Sequence, residues 1–251
     1  MKTGVKKYWN WGVSVLVGIG IFLFWYCWYP HALSYQEQYQ LFLWTGDYLI
    51  EKCSIPGGFA DWIGEFIVQF YYVEWLGALL LALVFMALQV LTARLLPKAW
   101  WALSLIPVVL LLWLMGDINV MLSLPIAIIL SLALACWRIK KSLIPELRSP
   151  TRCLSWTDIL ILPVAYWLAG PAVWIYVIIR IIQIGWKHLW SAGWLLAVIV
   201  MSYAWLLPQW PLRQVMTGLT YYRIPLHYPQ LNGYDKDMYE LIRQDYLVRN
   251  E

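Results

Sequence analysis

Apolar residues run along this chain in long blocks, separated by short polar or basic stretches, with little of the strict alternation that marks strands. A helix that crosses a bilayer needs roughly 20 mainly apolar residues. On that scale the pattern predicts an all-α, polytopic bundle of about seven spans, near residues 11–29, 73–90, 99–115, 118–137, 158–169, 171–184 and 189–207. The stretch 158–184 reads either as one long tilted helix or as two short helices. A break at Gly170-Pro171 is favoured, because proline removes a backbone donor and clashes with the preceding turn.

The connection 30–72 is the one long loop between spans, and its polar residues recur at helical spacing, which predicts two amphipathic helices lying in the membrane interface. In the first, Gln36, Glu37, Gln40, Asp47 and Glu51 share one sector, and Tyr39, Phe42, Leu43, Leu49 and Ile50 cover the opposite side. Pro56-Gly57-Gly58 breaks the chain. The second helix, 59–72, carries Asp61, Glu65 and Gln69 every four residues on an otherwise apolar surface. The ordinary reading of both stripes is a solvated face. The sharper one is an acidic site, since an unpaired charge in hydrocarbon costs several kcal/mol and such a stripe must meet water, a cation or a polar ligand.

Composition agrees with the pattern: 62% of the 251 residues are hydrophobic and 13% charged, against about 25% charged in soluble domains. The charges are segregated. Lys2, Lys6, Lys7, Arg94, Lys98, Arg138, Lys140, Lys141, Arg148, Arg152, Arg180 and Lys187 fall on one side of the predicted membrane, with Glu146 and Asp158. Glu37, Asp47, Glu51, Asp61, Glu65, Glu74 and Asp117 fall on the other, with Lys52 alone among bases before the tail. The positive-inside rule puts the amino end in the cytoplasm and the carboxyl tail outside. The first apolar run is long and no small-x-small cleavage site follows it, so it reads as a retained anchor.

Chemistry is sparse. Cys27, Cys53, Cys136 and Cys153 lack metal-ligand spacing and carry no cofactor; Cys27 and Cys53 share a side, with free thiols favoured over a disulfide. No phosphate loop, dinucleotide fingerprint, zinc-protease or nucleophile-elbow motif occurs. The second to fourth spans contain Gln89, Ser104, Asn119 and Ser123 but no ionisable group near the midplane, and this disfavours an ion-driven carrier. Ser14 and Gly18 are spaced to admit a neighbouring helix. The basic loop suits anionic headgroups, and positive-inside bias accounts for it without nucleic acid. That leaves Glu37, Asp61, Glu65 and Asp117 as candidate acids or metal ligands, because carboxylates act as general bases and bind hard divalent cations. His31 stands at the end of the first span and reads as structural.

Several motifs carry a resemblance: Tyr29-Pro30, Tyr35-Gln36-Glu37-Gln38, Gln40-Leu41-Phe42, Pro56-Gly57-Gly58, Glu65-Phe66, Gln69-Phe70-Tyr71-Tyr72, Tyr166-Trp167-Leu168-Ala169-Gly170-Pro171 and Asp245-Tyr246-Leu247-Val248-Arg249. The whole chain resembles an uncharacterised family of multi-pass bacterial envelope proteins whose members continue into a helical-repeat region. The apolar blocks make 1–208 a transmembrane module and 209–251 an extracytoplasmic tail; the resemblance makes that tail the start of a further region, and its isolated helix, marginal in water, would pack on a protein partner. Pro208, Pro211, Pro225 and Pro229 suggest an extended path there, followed by an amphipathic helix at 235–249. A more distant architectural resemblance is to the core of the C-type glycosyltransferases, which take sugars from polyprenyl-phosphate donors with a carboxylate in the first outer loop. It implies an inner-membrane enzyme with Glu37 as its leading catalytic residue, and a divalent cation as an option. Here the residues flanking Glu37 are glutamines where those enzymes carry Asp or paired acids. The competing expectation is a non-catalytic anchor or scaffold presenting an outer-face interaction region.

Overall fold

The computed structural model describes residues 2–38, 42–96, 102–117, 119–142, 156–184 and 189–206. The tail 209–251 and most of the basic loop after residue 142 lie outside the described residues. All regular elements described are helical: α1 (Lys2–Leu23) with a π-helical turn (Phe24–Trp28), α2 (Pro30–Gln38), α3 (Gly46–Cys53), α4 (Gly58–Val68) with a 3-10 turn (Gln69–Tyr72), α5 (Glu74–Leu95), α6 (Leu105–Leu114), α7 (Ser123–Ser142), α8 (Trp156–Ala169), a 3-10 turn (Gly170–Ala172), α9 (Val173–Ile184) and α10 (Trp190–Leu206). By length and composition alone two helical stretches are long and apolar enough to cross a membrane, Glu74–Leu95 and Ile159–Ile182, the second interrupted by the 3-10 turn Gly170–Ala172.

α5 and α7 are central. α1, α6 and α7 pack on α5, and α4, α8 and α9 pack on α7. The α1–α5 seam follows the small residues: a Cβ on Gly18 would stand 3.5 Å from Met86 Sδ, and one turn away Ser14 Oγ donates to Gln89 Oε1 at 2.5 Å. Gln89 Nε2 in turn donates to Ser104 Oγ at 3.0 Å. The side-chain amide buried among apolar helices thus has both ends used, as burial requires. Elsewhere the core is aromatic and aliphatic, with Trp25, Tyr71, Phe85, Tyr166 and Tyr176 almost wholly enclosed. The outward faces are apolar too: Val109, Trp113, Leu160, Val164, Ile182 and Met201 are all exposed.

Pro163 sits inside α8. Its ring leaves the carbonyl of Ile159 without the usual donor four residues on, and the Trp194 indole of α10 donates to that carbonyl at 3.0 Å. This bond joins α8 to α10 near the start of both, while Trp167 lines a cavity with Met201 and Ser202 near the end of both, so α8 and α10 run in the same direction. The chain must therefore come back between them. A straight continuation through α9 would carry Ile184 about 37 Å along the axis from Ile159. The six steps to Trp190 reach only about 20 Å. The reversal happens at Gly170, whose φ of 59° lies in the left-handed region open to glycine. The break expected at Gly170-Pro171 is thus present.

Two expected boundaries need correction. The single amphipathic helix drawn through 36–51 is divided: α2 ends at Gln38, and Thr45 caps α3 with its hydroxyl, which accepts from Tyr48 N at 3.4 Å. A threonine at this position competes with helix continuation by offering the backbone a local acceptor. The common polar face is lost as a result, with Gln36 buried and Asp47 and Glu51 exposed. The helix expected from residue 118 begins only at Ser123, because Asp117 and Asn119 form a side-chain-stabilised turn first.

Candidate functional site

Polar residues of the 30–72 connection converge where α3 meets α4. Pro56-Gly57-Gly58 folds the chain back sharply: Gly57 has φ 85°, and a Cβ on Gly58 would lie 1.7 Å from the Lys52 carbonyl oxygen. No other residue type fits that approach. Along α3, Tyr48 and Lys52 are four apart and share a face; along α4, so are Asp61 and Glu65. The turn sets one pair against the other.

Lys52 Nζ donates to Asp61 Oδ2 at 2.8 Å and to Glu65 Oε1 at 2.7 Å. The Tyr48 hydroxyl donates to Glu65 Oε2, and the Lys52 ammonium lies 5.5 Å from the centre of the Tyr48 ring. Both carboxylates are buried, at 4% and 8% exposure, so the solvated-face reading of this stripe is corrected: an internal cation meets it instead. Burial by itself would lower the Lys52 pKa, but Asp61 and Glu65 outweigh it and hold the ammonium above the ordinary lysine value. Burial, reinforced by the hydrogen bond to Glu65, pushes the Tyr48 phenol up to about 12.

The other side of α4 is aromatic. Phe59, Trp62 and Phe66 stack in sequence, and Phe42 meets Trp62 and Phe66 with ring centres 5.5 Å apart. Phe42 also meets Tyr48 edge-on at 5.9 Å, which seals the ion cluster from one side. The plate is fastened to the bundle in two places. Gly57 N donates to Trp167 O at 2.9 Å and Trp167 Nε1 donates to Cys53 O at 2.5 Å, while Gly64 lets α4 approach α7 so closely that a Cβ would stand 2.9 Å from Ser123 N.

Of the four candidate acids, the fold brings Asp61 and Glu65 together. Glu37 is half-buried on α2, and Asp117 is exposed, its Oδ1 accepting from Asn119 N at 2.9 Å and Asn119 Nδ2 at 3.0 Å. Among the described residues no group of three or more His, Cys, Asp or Glu side chains is arranged to hold a metal. His31 is exposed, and Cys27, Cys53 and Cys136 are free thiols. Tyr48 and Lys52 were missed as members of the cluster. Their signal was present: Lys52 is the sole base among seven acids of the outer segments before the tail, and it stands four residues from Tyr48 just ahead of a glycine turn.

Comparison adds one relationship. No curated protein and no solved structure matches the chain. A family match covers residues 7–251, and the chain belongs to that family, DUF6057, a family of unknown function.

Proposed function

We propose that this chain is a multi-pass protein of the bacterial inner membrane that serves as a non-catalytic anchor, presenting an outer-face region beyond residue 207 to a protein partner. The membrane reading draws on helices that are apolar on outward as well as inward faces, which in water would be an exposed patch far beyond the usual few hundred Å². In this reading α1, α5, α6, α7, α8, α9 and α10 supply the seven crossings, with the amino end in the cytoplasm and α3 and α4 on the outer face.

The observation that supports an anchor over an enzyme is the cluster around Lys52. Asp61 Oδ2 and both oxygens of Glu65 are occupied by Lys52 and Tyr48. The same contacts occupy the ammonium that a lipid-linked phosphate on the outer face would need. Here the polar groups fasten α3 to α4 and leave no acid and base poised for a substrate.

A second reading, a C-type-glycosyltransferase-like module acting on a polyprenyl-phosphate sugar, is favoured by Glu37, the one candidate acid that makes no polar contact with another of the described residues. In that reading a divalent cation would screen the donor phosphate. Complementation of a deletion strain separates the two. For an anchor, Glu37→Gln restores the envelope phenotype fully, and truncation after Leu207 abolishes it at normal membrane abundance. Loss of complementation by Glu37→Gln, with the truncation silent, would establish the transferase instead.

A further inference from the structure

Between α7 and α8 the bundle is not filled. Leu130, Leu134 and Trp137 of α7 face Leu160, Val164 and Leu168 of α8 across a cavity of about 600 Å³. Alanines at 133, 165 and 169 line the same space, and their small side chains leave the gap that larger residues would close. The rim opens sideways, since Leu160, Val164 and Trp137 are exposed. The stripes repeat every three or four residues on both helices, so the groove runs at least about 10 Å along them.

The walls offer little to hydrogen-bond. Apart from the Trp137 indole at one end, Ser131 is the one polar residue among them, and its hydroxyl donates to Ala127 O at 3.0 Å within its own helix. An occupant at this depth is hydrocarbon. At one end of the groove the character changes. Arg138 follows Trp137 directly, and α7 continues through Lys140 and Lys141. α9 leaves the opposite end at Val173 and returns along α7, so Arg180, seven residues on, comes back about 10 Å towards the basic end. Arg138 of α7 and Arg180 of α9 thus stand towards the same end of the two helices, the cytoplasmic end of the groove in the membrane reading.

We infer that this groove holds one acyl chain of an anionic phospholipid, with the headgroup phosphate at the basic ends of α7 and α9. The assignment rests on the membrane reading above. Basic pockets between membrane helices on the cytoplasmic side suit anionic headgroups, and an indole at the mouth suits the interface. Charge complementarity separates this occupant from a zwitterionic lipid, which would fill the apolar part equally well.

The test is native mass spectrometry of the full chain in detergent, offered phosphatidylglycerol and phosphatidylcholine with identical acyl chains. The expected result is one retained phosphatidylglycerol per chain, with a preference of about tenfold over phosphatidylcholine. Val164→Trp, a change at an exposed rim position, should abolish retention of both lipids. Arg138→Gln should keep lipid in the groove and bring the preference close to unity. Equal retention of the two lipids by the wild type, or full occupancy in Val164→Trp, overturns the assignment. A lipid-free dimer also overturns it, by giving the groove to a second copy. If Val164→Trp does not fold, a photoreactive phosphatidylglycerol on the wild type decides: adducts within 130–138 or 160–173 support the groove, and adducts elsewhere refute it. Release of the wild type from membranes by alkaline carbonate would refute the membrane reading itself, before any lipid is measured.

Discussion

Removing the Lys52 ammonium leaves two buried carboxylates facing each other without a counter-charge. Breaking a buried pair in this way is far more damaging than replacing the whole group, because the surviving charges keep their desolvation cost. Lys52→Met should lower the unfolding free energy by about 3 kcal/mol. The triple change Lys52→Met, Asp61→Asn, Glu65→Gln should recover most of that loss, read as thermal unfolding in detergent; equal melting of the single variant and the wild type would mean that the cluster holds nothing together. The same residues set a pH dependence. Lys52 is held above its ordinary 10.5, and Tyr48 rises from 10.0 to about 12 in the folded protein, so the folded state keeps both protons longer than the unfolded chain does. Their contribution is complete below about pH 10 and is lost as the pH climbs through the folded values. The melting temperature should therefore hold steady to that point and then fall, with a shallower fall in Tyr48→Phe. At this scale the sequence was half legible. Asp61 and Glu65 stood out by their spacing, but nothing in a linear pattern says that a carboxylate stripe faces an internal lysine when water would satisfy the same stripe.

Glycines control how the elements meet, and they do so unequally. Gly58→Ala drives a methyl group into the Lys52 carbonyl, and Gly64→Ala pushes α4 from the start of α7. Gly12 and Gly20 have nothing within 4 Å of an added Cβ. The first two substitutions should destabilise by about 1–3 kcal/mol, as overpacking does, whereas Gly12→Ala and Gly20→Ala should be neutral or slightly stabilising through helix propensity. Comparable melting of all four would contradict the close approaches. Element existence followed the apolar blocks: α5, α7, α8, α9 and α10 each overlap one of them, with α7 starting later and α5 ending later than expected. The miss at 36–51 came from periodicity itself. A 100° wheel aligns Gln36 with Asp47 whether or not the backbone between them is helical, and the Thr45 cap was hidden inside the pattern.

Orientation belongs to the whole molecule. Glu51 and Arg94 are both exposed and stand on opposite sides in the proposed topology. In a cysteine-free background, a membrane-impermeant maleimide should label Glu51→Cys in intact spheroplasts and Arg94→Cys only after permeabilisation. The reverse pattern would invert the protein. The proposed orientation rests on the charge bias alone, because topology depends on where bases lie along the chain and needs no knowledge of contacts. The groove between α7 and α8 was not legible, since it depends on which alanines of different helices face one another.

The staple between Trp167 and the α3–α4 turn has a geometric consequence. α8 has 14 residues and α5 has 22, so their lengths are about 21 Å and 33 Å. In a bilayer whose hydrocarbon layer is about 30 Å thick, only α5 matches it. In the proposed topology, with Cys53 and Gly57 bound to the end of the shorter helix, the plate formed by α3 and α4 would be drawn down on that side into a sunken floor. Hydrophobic mismatch is then confined to one flank, and lipids with short chains would gather beside α8 while ordinary ones border α5.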